Sequence, residues 1–357
     1  MSEANLRSGL TRGIDSRRLV AGVALFALAA VAVLGVLFPS SGAGQLLSIM
    51  TAKSTMSATL RLSVPIAFAA LGGIFAEKSG VINIGLEGLL IISAFGGVYF
   101  ADVTGSTWLG VAAGVVASTL LAAVFAVVCI EFRADQIIAG LAIWLIALGL
   151  APFASQVVYG GPNTTSVPTV GTVTVPFLSN PKFGAFAALF DATPFVYLMF
   201  VAVVASWWTL NRTAFGRWVR ASGENPKALD TAGVDVQRVR YAAAILSGVL
   251  AGIGGAALSL SIGQFTGNGP TMVNGKGFIA IVAYLFGNYN PIGAMLSTML
   301  FAGLDALQLT LQARDVFAIP QPLVRTIPYV TVIIVLALVG RTRIPEAAGD
   351  HYESGED

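Results

Sequence analysis

Charge is what this chain has least of. Only 11% of its 357 residues are Asp, Glu, Lys or Arg, 56% are hydrophobic, and the mean hydropathy is +0.81. So few polar residues cannot cover the surface of an ordinary soluble domain, which excludes that class. Cysteine and histidine are nearly missing, each occurring once, as Cys129 and His351. That leaves no disulfide framework, no multi-ligand His/Cys metal site and no Ser/His/Asp set. A net charge of +2 is too small for a nucleic-acid surface. A phosphate-binding loop is absent as well. GPTMVNGKGF (269–278) resembles one, but five residues separate Gly269 from Gly275 and Gly277 follows Lys276. The motif needs four, and then Ser or Thr after the Lys. Without a catalytic constellation, the chain reads as a non-enzyme with no cofactor or metal of its own.

What is there is membrane-length apolar sequence. Runs of about 20 residues recur, the length that crosses ~30 Å of hydrocarbon as a helix. They fall at 19–38, 55–75, 80–100, 107–129, 136–158, 193–210, 241–262, 277–289, 291–310 and 321–340. The expected fold is an all-α polytopic membrane protein of about ten segments. The eighth is short enough to be a half-helix or re-entrant piece, and two related halves are possible. The basic start (Arg7, Arg12, Arg17, Arg18) looks like a signal peptide. Its apolar run is too long, however, and ends at Phe38-Pro39-Ser40 without a small-x-small site, so it reads as the first span.

Threading from an inside N-terminus places fourteen of the twenty Lys and Arg in cytoplasmic segments. Lys53, Lys182, Lys276 and Arg314 then lie outside, and Arg61 and Arg325 lie within spans. That bias puts both termini in the cytoplasm of a plasma-membrane protein. The division is a basic N-terminus 1–18, a transmembrane domain 19–340 and an acidic tail 341–357. The tail's end, 346–357, reads as disordered. Loop 159–192 is expected outside and loop 211–240 inside.

Two stretches stand out. In EKSGVINIGLEGLLIISAFGG (77–97) a span opens with glycines around Asn83 and Glu87. Loosened backbone survives in hydrocarbon only where protein buries it or a wet path runs beside it, and an intramembrane carboxylate is a functional candidate. Asn83, Gly85, Glu87 and Gly88 are thus candidates for a translocation path or a helix break; the alternative is plain helix packing. The second stretch, NRTAFGRWVRASGENPKALDTAGVDVQRVR (211–240), is long, polar and basic. Within it Asn225 suits an N-cap, Pro226 the first helical position and Gly233 a left-handed stop. Ala228, Leu229 and Ala232 form a small apolar face. A capped helix on the cytoplasmic side suggests docking to a partner rather than an idle loop.

Four charges fall at membrane depth. Arg61 lies ~12 Å and Asp305 ~9 Å below the outer ends of their spans, with Arg325 about as deep, while Glu87 lies about 10 Å from the inner face. The depths suggest an ion-paired layer of Arg61, Asp305 and Arg325. Gly248-xxx-Gly252 and Ala251-xxx-Gly255 mark a close-packing helix face.

EKSGVINIGLEGLLIISAFGG, GENPKALDTAG (223–233) and FGNYNPIGA (286–294) together resemble the permease subunits of ABC importers. The branch is the one for branched-chain amino acids, ribose-type sugars and nucleosides, and the simple-sugar and nucleoside members are most similar. The resemblance covers roughly 55–340. It implies that Gly223, Glu224, Asn225, Pro226, Ala228, Leu229 and Gly233 couple the chain to an ATPase subunit, which holds ATP and Mg. It also implies a second permease subunit, the same or homologous, and an external substrate-binding lipoprotein. Asp230 departs from the family pattern, where a small or basic residue is expected. Few midplane charges favour a neutral or zwitterionic solute. The alternatives are a branched-chain amino acid permease, an ion-coupled carrier working alone or, least in keeping with the missing catalytic residues, a membrane-embedded enzyme.

Overall fold

The computed structural model describes residues 33–314 and 343–353, and its architecture is almost wholly helical. The helices are α1 (Gly42–Met50), α2 (Lys53–Lys78), α3 (Leu86–Thr104), α4 (Thr107–Ala126), α5 (Gln136–Tyr159), α6 (Pro194–Arg212), α7 (Ala214–Glu224), α8 (Pro226–Thr231), α9 (Val236–Leu260), α10 (Lys276–Phe286) and α11 (Pro291–Arg314). A π-helical turn, Val127–Glu131, prolongs α4. Among the described residues seven helices are long and apolar enough to cross a membrane, and α10 is a shorter apolar helix. The expected spans 19–38, in part, and 321–340, wholly, lie outside the described residues.

Caps in the sequence set several boundaries. The Asp135 carboxylate accepts from the Ile137 and Ile138 amides, each at 2.9 Å, and starts α5. Asp235 accepts from the Arg238 amide at 3.0 Å, so α9 begins at Val236, five residues before the apolar run. Helix α3 starts only at Leu86, because 81–85 are non-helical. Helices α1 and α7 were not anticipated. In α7 the arginines 217 and 220 disguise an amphipathic pattern, in which Val219 and Ser222 are buried while Arg217 and Arg220 are exposed.

Helices α2, α3 and α9 form the centre, and α4, α5, α6 and α11 surround them. The small-residue stripe of α9 lets backbones approach: a Cβ on Gly255 would lie 2.4 Å from the Leu90 carbonyl oxygen. Hydroxyls bridge the same contact, Ser93 Oγ donating to the Gly252 carbonyl and Ser118 Oγ to that of Gly248 at 2.8 Å. Such close, small-residue contacts replace hydrophobic collapse where the solvent is lipid. At one end of the bundle lies the basic segment 211–240. At the other, 159–193 carries an antiparallel pair, β1 (Val173–Thr174) and β2 (Asp191–Ala192), with a 3₁₀ segment between them.

One sequence expectation is corrected here. The acidic tail does not dangle as far as it is described: 345–353 folds back onto the basic end of the bundle. Composition predicted disorder, but the backbone groups of the tail find partners on three separate elements.

Candidate functional site

One junction is built around Glu87, on the first turn of α3 and 2% exposed. Its two carboxylate oxygens accept from the Gly275 amide at 2.7 Å and the Gly277 amide at 2.6 Å. Those amides belong to the start of α10, so a carboxylate from one helix caps the positive end of another inside the bundle. Gly277 is required there: a Cβ would stand 2.4 Å from the Glu87 nitrogen. With eleven residues, α10 is about 16 Å long, about half of a ~30 Å hydrocarbon thickness. Asn83 closes the break beside it, donating from Nδ2 to Ser247 Oγ at 3.0 Å and accepting from the Gly85 amide at 3.0 Å. Gly85 and Gly88 press on α5, where a Cβ on Gly88 would meet the Ile143 carbonyl oxygen at 2.8 Å.

Lys276 is a second correction. The sequence threading left it in an outer loop, yet it is 8% exposed and its charge interacts with both Asp305 and Glu87. The reason is the path of 261–275. This segment pairs with 163–170 (Val167 amide to Gly263 carbonyl 2.8 Å; Phe265 amide to Thr164 Oγ1 3.0 Å) and delivers the start of α10 to the first turn of α3. No ion pair joins Arg61 and Asp305 among the described residues; the positive charge that acts on Asp305 is that of Lys276. Arg325 lies outside the described residues.

Glu77 escaped the sequence reading. Buried at the end of α2, it accepts from the Tyr289 hydroxyl at 2.7 Å and from the Tyr284 hydroxyl. Lys78 lies over the Tyr289 ring, 5.7 Å from its centroid. The signal was Tyr284 and Tyr289 in AYLFGNYNP, two phenols near a span end that each need a partner.

At the basic end, Asn225 Oδ1 accepts from the Ala228 amide at 3.0 Å, Pro226 opens α8, and Gly233 takes a positive φ of 79° after it. The apolar face splits: Leu229 is buried, whereas Ala228 and Ala232 are exposed beside Lys227. Helix α7 seats this element on α2. Ser222 Oγ donates to the Ser79 carbonyl at 2.8 Å, and a Cβ on Gly223 would lie 2.4 Å from the Lys78 carbonyl oxygen. Glu224 and Asn225 are exposed. The EKSG and GENP motifs, about 145 residues apart, are thus one contact.

At the opposite end a cavity of about 470 Å³ opens between α2, α6 and the 169–193 loop. Ser54, Ser57, Arg61, Thr172, Thr193 and Ser261 are among its lining residues. Ser54, Ser57 and Arg61 fall at helical spacing on one face of α2. Arg61 is exposed, and among the described residues no hydrogen bond or ion pair holds its guanidinium. Asp191, at the rim, is engaged: Lys53 Nζ at 2.7 Å and Thr174 Oγ1 at 3.0 Å hold its carboxyl below the usual Asp value. Among the described residues no group of His, Cys, Asp and Glu could hold a metal ion.

Long apolar helices, a half-helix capped inside the bundle and a polar helix projecting from one end define a polytopic membrane protein of the permease kind. Residues 55–336 match the family described as branched-chain amino acid transport system / permease component, and the chain belongs to that family. It is similar to the nucleoside ABC transporter permease protein NupC of Lactococcus lactis, 38% identical over 81% of this chain and 93% of the relative. The guanosine ABC transporter permease protein NupQ of Bacillus subtilis is 35% identical over 87% of this chain and 98% of its own length. A glucose ABC transporter permease protein of Haloferax volcanii is 27% identical over 89% and 83%. No solved structure matches the chain.

Proposed function

We propose that this chain is the membrane-spanning subunit of an ATP-driven importer that carries a nucleoside or a simple sugar inward. The observation that carries this reading is the exposed, capped helix α8 seated through α7 on the inner end of α2. A partner ATPase, holding ATP and Mg, closes on nucleotide and moves α8. The motion passes through the Ser222–Gly223 contact to α2, a central helix, and the bundles rock between outward- and inward-facing states. A second permease subunit and an external binding lipoprotein complete the assembly. The basic end is cytoplasmic, as are both termini, the chain makes about ten crossings, and the hydroxyl-lined cavity at Arg61 is the external mouth. The printed activities of the relatives, with a cavity rich in neutral hydrogen-bonding groups, favour a polyhydroxylated solute over an ion.

The test is Ala228→Glu in the assembled transporter, with labelled guanosine as probe. Expected are loss of ATPase retention and of ATP-driven uptake, with the amount of chain in the membrane unchanged. Gradient-driven guanosine uptake by the purified chain alone, without ATP, overturns the reading in favour of a carrier.

A further inference from the structure

A six-residue helix is too short to hold its own shape in water, because nucleation costs more than one turn returns. If α8 is to transmit force, its orientation must come from outside it. Two braces are already described, the Asn225 cap and buried Leu229. Neither fixes the far side of the helix.

The tail does. Ala347 donates its amide to the Gly223 carbonyl at 2.8 Å, and Gly349 donates to the Gly80 carbonyl at 3.0 Å. Arg240, buried at the base of α9, donates from Nη1 to the Asp350 carbonyl at 2.6 Å. Tyr352 donates its hydroxyl to Asp230 Oδ2 on α8 at 2.8 Å. Glu353 pairs with Arg133 beyond the π-helical turn of α4. The chain is shaped for this route: Gly349 reverses it with a φ of 88°, and Ala347 is buried. Gly80 makes room for the arginine, since a Cβ there would lie 2.7 Å from Arg240 Nη2. These contacts reach α7, α8, α9, the α2–α3 link and the α4–α5 link.

We propose that residues 345–353 form a strap that orients the coupling helix, with Tyr352 as its positioning residue on Asp230. The strap leaves the outward side of α8 open, because Lys227 and Ala228 remain exposed. It is therefore a brace for docking and not an inhibitory cover. Its part in coupling rests on the ABC permease reading above; the brace itself does not.

Amide hydrogen exchange at 226–232 in the full chain, in lipid nanodiscs, tests the brace without any partner. Removal of residues 345–357 is expected to speed exchange there about tenfold or more. Tyr352→Phe, which loses one hydrogen bond, should speed it about fivefold. Asp230→Asn keeps an acceptor for Tyr352 and should restore most of the protection lost in Asp230→Ala. Exchange in α3 and α9 should not change, which separates loss of the brace from unfolding. Unchanged exchange in Tyr352→Phe overturns the strap. The second measurement is retention of the ATPase subunit and guanosine moved per ATP, both expected to fall several-fold in Tyr352→Phe. Faster exchange with unaltered coupling in a working transporter overturns the positioning role. A wild-type chain that retains no ATPase at all refutes the permease reading and leaves the exchange result standing.

Discussion

Glu87 and Arg61 are both charges on apolar, membrane-length helices, and the fold treats them in opposite ways. Glu87, near the basic end, has both oxygens bonded to the α10 amides and the Lys276 charge nearby. Arg61, toward the other end, lines a cavity, and its donors are unused among the described residues. Burying an ionised group costs several kcal/mol unless protein donors replace its water, so the first arrangement is a structural joint. The second keeps its binding capacity for something that arrives. Sequence position alone would rank the two alike.

Three experiments can break this contrast. Glu87→Ala strips two helix-end amides of their acceptor and leaves Lys276 with one carboxylate fewer, so we expect a loss of about 3 kcal/mol. Thermal unfolding in detergent reads it directly, and a melting curve like that of the parent chain would show the joint to be dispensable. Arg61→Gln should act the other way round. Stability changes by less than ~0.5 kcal/mol, while guanosine uptake falls about tenfold, the worth of one charged hydrogen bond. A stability loss with normal uptake per folded molecule would make Arg61 structural after all.

The smallest effect concerns the rim of the cavity. Lys53 and Thr174 depress the Asp191 carboxyl below its ordinary 3.8. A depressed acid contributes stability that is complete above its unfolded value and lost as pH falls through the folded one. Limited proteolysis of the 173–192 loop should therefore stay constant from pH 7 to about 4 and rise only below that. Loosening already near pH 5 would mean that the Lys53–Asp191 pair does not anchor the loop.

Much of this was legible beforehand, for reasons that lie in particular residues. Asn225, Pro226 and Gly233 act locally, through a cap, a fixed φ and a positive φ, so α8 could be read from its own sequence. Asp235 is as local, but the first residues of α9 are polar, and a search for apolar runs starts too late. Glu87 was singled out as unusual; its partners were not, since Gly275 and Gly277 lie about 190 residues away and offer only backbone amides. Tyr352 and Asp230 likewise meet across 122 positions, and the acidic composition of the tail pointed to disorder.

The sequence by itself determined that the chain belongs in a membrane and where most of its helices run, because apolar length and end-caps are properties of contiguous residues. Only the tertiary structure decided which helices are central. The window of α4 has a mean hydropathy of 2.5 and is 33% buried, whereas that of α2 has 1.6 and is 83% buried. In lipid an apolar face gains little by turning inward, so small residues and hydrogen-bonding groups are what draw a helix to the middle, and whether those groups find partners is settled only when distant segments meet.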